Sequence, residues 1–166
     1  MTQPEFVQLI GEHKGLIQKV CSLYASTVQD RQDLFQEIVI QLWRAIPKFR
    51  KESKLSTWMY RVALNTAISS YRKQLRRLPA DNLDFVIDHA LDENDNAGKE
   101  EKLKALYDAI SQLGEVEKAI VMLYLDDKSY DEMEDILGIN QNNLRVKMNR
   151  IKEKLRQLTK TVEYGT

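Results

Sequence analysis

The side chains best suited to chemistry in this sequence are hydrogen-bonding and cationic groups near its C-terminal end. A short turn there is followed by a long helical pattern that opens with Gln141, Asn142, Asn143 and Arg145. Amide and guanidinium groups at the start of a helix can hydrogen-bond to base edges in the major groove of DNA. The lysines that follow suit phosphate oxygens. This pattern indicates nucleic-acid binding.

A second polar set lies in the first half of the chain. It recurs at helical spacing and consists of Trp58, Arg61, Asn65, Ser69, Arg72 and Arg76. The loop before it carries cations beside an aromatic ring: Lys48, Phe49, Arg50, Lys51 and Lys54. Charges that follow a phosphate backbone, next to rings that stack on bases, are typical of a single-strand binding surface. The alternative is a partly buried Trp58 beside a solvated face of arginines.

A third polar face belongs to the preceding helix and contains Asp33, Glu37, Gln41 and Arg44. Taken alone, such a face is most often simply solvated. Residues 30–77 are therefore predicted to hold two surfaces of opposite character, back to back, one for a protein partner and one for nucleic acid.

Residues typical of an enzyme or a metal site are sparse. Cys21 is the single cysteine, which predicts a chain without internal disulfides in a reducing cytosol. His13 and His89 are isolated, and the acidic residues of 79–101 lack the glycine spacing of a calcium loop. No nucleophile motif, secretory signal or membrane-length apolar run is visible. We expect a cytoplasmic protein without catalytic residues, cofactor, metal or membrane insertion.

The net charge of zero conceals strong local charge. Residues 44–77 carry a balance of +9 and residues 145–160 one of +6. Residues 81–101 carry −7 and residues 126–135 carry −5. Two basic surfaces are therefore compatible with a neutral chain.

Helical periodicity dominates the elements that must position these residues. A first helical segment near Pro4 has a possible break between Gly11 and Gly15, and a second helix is predicted from about Asp30 to Ile46. Ser56 is a candidate N-cap for a third helix. These helices form the predicted first domain, 1–78. An acidic linker follows over 79–102.

The second predicted domain, 103–166, contains a helix-turn-helix pattern. Ser129 and Glu132 form a capping box, Gly138 suits the left-handed position of a turn, and Asn140 can cap the next helix. The alternative is an ordinary helical hairpin with a solvated basic face that binds no DNA. The sequence thus predicts an all-α fold of two small helical domains joined by an acidic flexible linker, with the helix-turn-helix in the C-terminal domain.

Two stretches of the sequence carry a family resemblance. The first contains DLFQEIVIQLW and FRKESKLSTWMYRVALNTAISSYRK, and the second is SYDEMEDILGINQNNLRVKMNRIKEKLRQL. Together they resemble regions 2 and 4 of the extracytoplasmic-function (ECF) subfamily of sigma-70 RNA polymerase sigma factors. The resemblance covers about residues 9–77 and 103–158.

The resemblance implies a role for each surface. The helix of the first stretch would dock on the clamp of the polymerase β′ subunit through Asp33, Gln36, Glu37 and Ile40. The loop and helix after it would capture an unstacked base of the minus-ten element through Arg50, Lys51, Glu52, Ser53, Lys54, Trp58, Arg61, Asn65 and Arg72. The last helix would read the duplex minus-thirty-five element through Asn143, Arg145, Val146, Lys147, Asn149 and Arg150.

The function implied is that of a sigma factor. Such a protein binds core RNA polymerase through its β′ clamp and β subunits, directs promoter-specific initiation, and is controlled by an anti-sigma factor. One alternative is a stand-alone helix-turn-helix transcriptional regulator whose N-terminal helical domain serves for dimerisation. Another is a helical adaptor that mimics a sigma factor to capture an anti-sigma protein.

Overall fold

The computed structural model describes residues 1–77 and 97–164, which belong to two compact units, Met1–Val86 and Ile87–Thr166. Every regular element within the described ranges is a helix, so the predicted all-α class is confirmed. The first unit contains α1 (Gln3–Glu12), α2 (Lys14–Tyr24), α3 (Val28–Ala45), a 3-10 turn (Ile46–Lys48) and α4 (Leu55–Arg77). The second contains α5 (Ala97–Ser111), α6 (Glu115–Leu125), α7 (Tyr130–Leu137) and α8 (Gln141–Tyr164).

Part of the predicted linker is helical. Helix α5 begins at Ala97, so it includes residues 97–102 of the predicted linker. This stretch holds one alanine, two lysines and two glutamates, which are strong helix formers whatever the charge balance. The remaining linker residues, 79–96, lie outside the described part of the chain. None of the described helices is both long and apolar enough to cross a membrane.

Local sequence signals set the ends of the first helices. Thr2 and Glu5 form a reciprocal capping box at the start of α1. The predicted break between Gly11 and Gly15 falls at His13, whose Nδ1 lies 3.1 Å from the carbonyl oxygen of Leu9. Helix α4, in contrast, begins one residue before the predicted cap at Ser56. The carbonyl of Lys54 accepts the N–H of Trp58 at 3.1 Å, which places Ser56 inside the first turn.

The core of the first unit lies among α2, α3 and α4. Residues with at most 2% exposure include Ile17, Val20, Ile38, Leu42 and Leu64, and Tyr60 is the largest of the fully buried side chains. Helix α4 also contributes Met59, Ala63 and Ala67, all fully buried. Alanines allow the neighbouring helices to approach α4 closely because they occupy little volume at the contact.

The second unit has the predicted helix-turn-helix. The Ser129 hydroxyl accepts the N–H of Glu132 at 3.1 Å, and the Asn140 side-chain oxygen accepts the N–H of Asn142 at 2.8 Å. Gly138 is left-handed, with φ 71°, and its N–H donates to the carbonyl of Glu134 at 2.8 Å. The buried side chains that hold α7 and α8 on the bundle are Met133, Ile136, Leu144, Met148 and Ile151.

The left-handed conformation of Gly138 predicts that adding a methyl group at this residue lowers stability. Gly138→Ala should lower the free energy of unfolding of the second unit by about 1–2 kcal/mol, because a side chain at this φ crowds the following carbonyl. Gly11→Ala is the matched control. It lies in α1 with open space around its Cβ position and should stabilise the first unit by about 0.5 kcal/mol.

Denaturant unfolding of the full chain, followed by circular dichroism, measures both effects. Equal stability of Gly138→Ala and the wild type would show that the turn relaxes to a different backbone conformation.

Candidate nucleic-acid and partner interfaces

The outward face of α3 combines carboxylates with an apolar side chain. Asp33, Gln36 and Glu37 are exposed, and Ile40 has 43% of its surface exposed. Gln29 Nε2 donates to Asp33 Oδ1 at 3.1 Å, and Gln41 Nε2 donates to Glu37 Oε1 at 3.0 Å. These contacts orient both carboxylates on the helix surface. The face suits a partner that offers cations around an apolar contact.

Trp43 extends this face and was missed as a surface residue in the sequence, where it appears only at the end of a helix motif. It is 42% exposed, and its ring stands edge-on to Phe6 of α1 with centroids 4.9 Å apart. Its spacing of three residues from Ile40 was the available clue, since residues so spaced share a helix face. Ile40 and Trp43 therefore place apolar surface where a soluble helix normally carries polar groups.

The α3 face and the α4 stripe are not back to back as the sequence suggested. Asn65 and Ser69 of the α4 stripe line the same open groove of about 650 Å³ as the α3 face. Asp33, Glu37 and Gln41 form one side, and Asn65, Ser69 and Lys73 form the other. Because α3 packs directly on α4, their polar edges meet along the same seam. The acidic face and the polar stripe are therefore neighbours.

The loop between the 3-10 turn and α4 presents its charges to solvent. Arg50, Lys51, Glu52 and Lys54 are exposed, whereas Ser53 is half-buried. Lys51 adopts a left-handed conformation with φ 59°, which is uncommon for a residue with a side chain. The loop offers three cations beside a single carboxylate. A loop of this composition can contact the phosphates of a nucleic-acid backbone.

Trp58 does not reach the surface with the rest of the predicted stripe. It is 9% exposed, and Phe49 covers it at a centroid distance of 5.0 Å with the rings tilted by 40°. The half-buried Phe49 is the ring nearer solvent. Trp58 thus supports the loop from below. Further along α4, Arg61 is half-buried while Asn65 and Arg72 are exposed.

Helix α8 exposes all of the residues predicted to read duplex DNA. They are Asn143, Arg145, Val146, Lys147, Asn149 and Arg150, with Val146 exposed over 49% of its surface. The intervening apolar residues lie in the core, so the polar face points away from the bundle. An exposed helix face of this length is the form that enters a major groove.

Contacts across the helix-turn-helix hold the start of α8. The guanidinium carbon of Arg145 lies 5.1 Å from the ring centroid of Tyr130, and Arg145 Nη1 is 3.4 Å from Asn142 Oδ1. Gln141 Nε2 donates to Asp131 Oδ1 at 3.1 Å. No role was predicted for Tyr130, because its approach to Arg145 depends on how α7 crosses α8.

The later lysines of α8 contact the bundle itself. Lys154 pairs with Glu117 of α6 at 3.0 Å, and the ammonium of Lys152 lies 5.0 Å from the ring centroid of Tyr124. The sequence assigned these turns to phosphates. In the structure both side chains tie the middle of α8 to α6.

No cluster that could hold a metal ion occurs among residues 1–77 and 97–164. Cys21 is buried in α2, and burial raises the pKa of its thiol to about 11, with the Arg31 charge opposing part of that rise. A thiol in this environment is a poor nucleophile and a poor metal ligand.

Comparison with known proteins matches both units. The family model for sigma-70 region 2 matches residues 9–77, and that for sigma-70 region 4 matches residues 103–155. The chain is 33% identical over 162 residues to the ECF RNA polymerase sigma-E factor of Escherichia coli K12, covering 91% of this chain and 84% of that protein. It is 26% identical over 165 residues to RNA polymerase sigma factor SigV of Bacillus subtilis, covering 96% and 94%.

Two solved structures share the fold. One is the sigma factor RpoE of Bartonella quintana in complex with the anti-sigma factor NepR, with a TM-score of 0.72 and 19% identity over 94% of this chain and 97% of that one. The other is CnrH in complex with the cytosolic domain of CnrY, with a TM-score of 0.69 and 17% identity over 96% of this chain and 90% of that one.

Proposed function

Because this chain belongs to the ECF sigma factors of the sigma-70 family, we propose that its first unit holds core RNA polymerase and melted promoter DNA while its second unit reads duplex promoter DNA. The chain is a sigma factor, and we assign its action to binding and not to catalysis. The observation that carries the assignment of surfaces is the exposure of one long polar face on α8 together with a cationic loop ahead of α4. Two separate DNA contacts are what a promoter with two elements requires.

The α3 face is the proposed polymerase contact. Asp33, Gln36, Glu37 and Ile40 were assigned to the β′ clamp, and we add Trp43, which continues the same exposed surface. Apolar side chains in the middle of an interface contribute most of its binding energy, while charged groups around them set orientation. Ile40 and Trp43 serve as the anchor, and Asp33 and Glu37 select a basic partner.

The loop of Arg50 to Lys54 is the proposed minus-ten contact. Unstacking a base costs a few kcal/mol, and stacking on an aromatic side chain returns about 1–3 kcal/mol per base. Phe49 is the accessible ring, with Trp58 beneath it as support. Cations of the loop, followed by Arg61, Asn65 and Arg72 along α4, hold the backbone and edges of the extruded strand.

The exposed face of α8 is the proposed minus-thirty-five reader. Asn143, Arg145 and Val146 lie in its first turns, where amides, guanidinium groups and methyl groups can distinguish bases. Lys147, Asn149 and Arg150 follow at positions suited to phosphates and flanking bases.

We further propose anti-sigma control in the cytoplasm, where core polymerase resides. RpoE, whose fold this chain shares, was solved with the anti-sigma factor NepR, and CnrH was solved with the cytosolic domain of CnrY. The domain limits 1–78 and 103–166 belong to the same proposal, with the linker 79–102 threading through the polymerase. The last residues of that linker, 97–102, form the start of α5.

Run-off transcription tests the proposed function as a whole. The full chain is added to core polymerase on a library of genomic fragments, and sequence-specific start sites should appear that core polymerase alone does not give. Initiation at no defined site would reject the proposal. Symmetric, tight duplex binding by the isolated chain would instead support a dimeric repressor or activator.

Glu37→Lys tests the polymerase face. We expect it to abolish binding to core polymerase, since it reverses the charge at the centre of the face, while stability changes by less than about 0.5 kcal/mol for an exposed residue. Glu12→Lys makes the same charge change on an exposed position of α1 and should bind normally. Surface plasmon resonance with immobilised core polymerase measures both. Normal binding of Glu37→Lys would remove α3 from the interface.

Arg145→Ala tests the reading helix. It should weaken initiation at the selected promoter by about 1–3 kcal/mol and relax base choice at the position it contacts. Arg156→Ala removes the same charge from an exposed position further along α8 and should leave base choice unchanged. Initiation from promoters randomised in the minus-thirty-five element reports both quantities. Unaltered base choice in Arg145→Ala would assign Arg145 to phosphates alone.

A further inference from the structure

An arginine that reads DNA is normally a flexible group in the free protein. The side chain of Arg145 is exposed, and a long exposed side chain loses much rotamer freedom when it is fixed against a base. Groups already held in the bound arrangement lose less on binding. The contacts that restrain Arg145 in the free chain are therefore relevant to recognition.

Two contacts restrain the Arg145 side chain, one from α7 and one from α8. The Tyr130 ring lies 5.1 Å from the guanidinium carbon, and the Asn142 side-chain oxygen lies 3.4 Å from Nη1. Cation–π contacts of this kind at exposed sites are worth about two- to fivefold in an equilibrium. Arg145 is thus held by a ring from α7 and an amide from its own helix.

Both supports are themselves anchored. Tyr130 is half-buried and is the first residue of α7, directly after the Ser129 cap, whose hydroxyl accepts the N–H of Glu132 at 3.1 Å. The N–H of Asn142 donates to the Asn140 side chain at 2.8 Å. The ring and the amide therefore take their positions from the two caps that build the helix-turn-helix.

We propose that Tyr130 is a positioning residue for promoter recognition, and that its ring holds the Arg145 guanidinium over the first turns of α8 ready to meet duplex DNA. The inference rests on the proposed function, because it needs Arg145 to read the promoter. The ring is the active part of Tyr130, and its hydroxyl is dispensable.

Three variants of the full chain separate this role from simple packing. Tyr130→Phe keeps the ring, and Tyr130→Leu keeps apolar bulk but removes the π-face. Asp131→Ala is the matched control, since it removes the 3.1 Å contact to Gln141 between the same two turns without touching Arg145. Circular dichroism confirms helical content, and Tyr130→Met replaces the leucine variant if that content falls.

The first measurement is the NMR resonance of the Arg145 Nε–H group in the isotopically labelled chain. A proton above an aromatic ring is shifted upfield by the ring current. We expect the shift in the wild type, Tyr130→Phe and Asp131→Ala, and its loss in Tyr130→Leu. An unshifted resonance in the wild type would overturn the proposal.

The second measurement is run-off transcription at the selected promoter with an intact or a scrambled minus-thirty-five element. Tyr130→Leu should lower the dependence on that element two- to fivefold, while Tyr130→Phe and Asp131→Ala stay within twofold of the wild type. In an Arg145→Ala background, Tyr130→Leu should have no further effect, since the group it positions is gone.

The results that would reject the role of Tyr130 differ from those that would reject the proposed function. An equal loss from Asp131→Ala, or a loss from Tyr130→Leu that persists without Arg145, would make Tyr130 a packing residue only. Normal wild-type initiation with an unaffected Tyr130→Leu variant overturns this inference alone. Absence of promoter-specific initiation by the wild-type chain overturns the proposed function and this inference with it.

Discussion

The packing of α3 directly on α4 is the constraint on which the first unit depends. Leu34, Ile38 and Leu42 of α3 are buried at successive turns, and α4 meets its neighbours with the fully buried Ala63 and Ala67. Small side chains at a helix contact bring the two backbones close together. The polar edges of both helices then border one groove, with carboxylates on the α3 side and Asn65, Ser69 and Lys73 on the α4 side. The face proposed for polymerase and part of the stripe proposed for DNA therefore lie side by side.

Neighbouring surfaces of opposite charge have a consequence for assembly. Carboxylates on α3 disfavour a nearby polyanion by charge repulsion. On the proposed assignment of surfaces, a basic partner on α3 would weaken that repulsion. Binding of polymerase and binding of the melted strand would then favour each other. The zero net charge of the chain conceals this arrangement because the charged blocks cancel only in the sum.

In the second unit, different turns of α8 contact different neighbouring helices. The first turns of α8 contact α7 through Tyr130 and Asp131, and their polar face is exposed. The middle turns are held by α6, through Glu117 and Tyr124. Lys152 and Lys154 thus contact α6, while the proposed reading residues of the first turns stay exposed. Exposure of the proposed reading face and attachment of α8 to the bundle therefore depend on different residues.

Local sequence signals predicted most of the helices, the break near His13, the turn at Gly138 and the caps at Ser129 and Asn140, because each depends on residues a few positions apart. The sequence also determined which face of α8 is polar, since a helical period assigns every residue to the core or to solvent. Whether residues 79–96 form a flexible linker remains a prediction from composition. The assignments to polymerase, minus-ten and minus-thirty-five contacts likewise remain proposals that rest on the family resemblance.

Tertiary structure alone decided which surfaces meet. It placed Trp58 beneath Phe49, opened a common groove for α3 and α4, and set Tyr130 against Arg145. The groove and the Tyr130–Arg145 contact depend on how two helices pack, and the Phe49–Trp58 contact depends on how the loop folds onto α4. Periodicity gives the face of a single helix but not its neighbour across the contact, so the packed structure was needed to locate these sites.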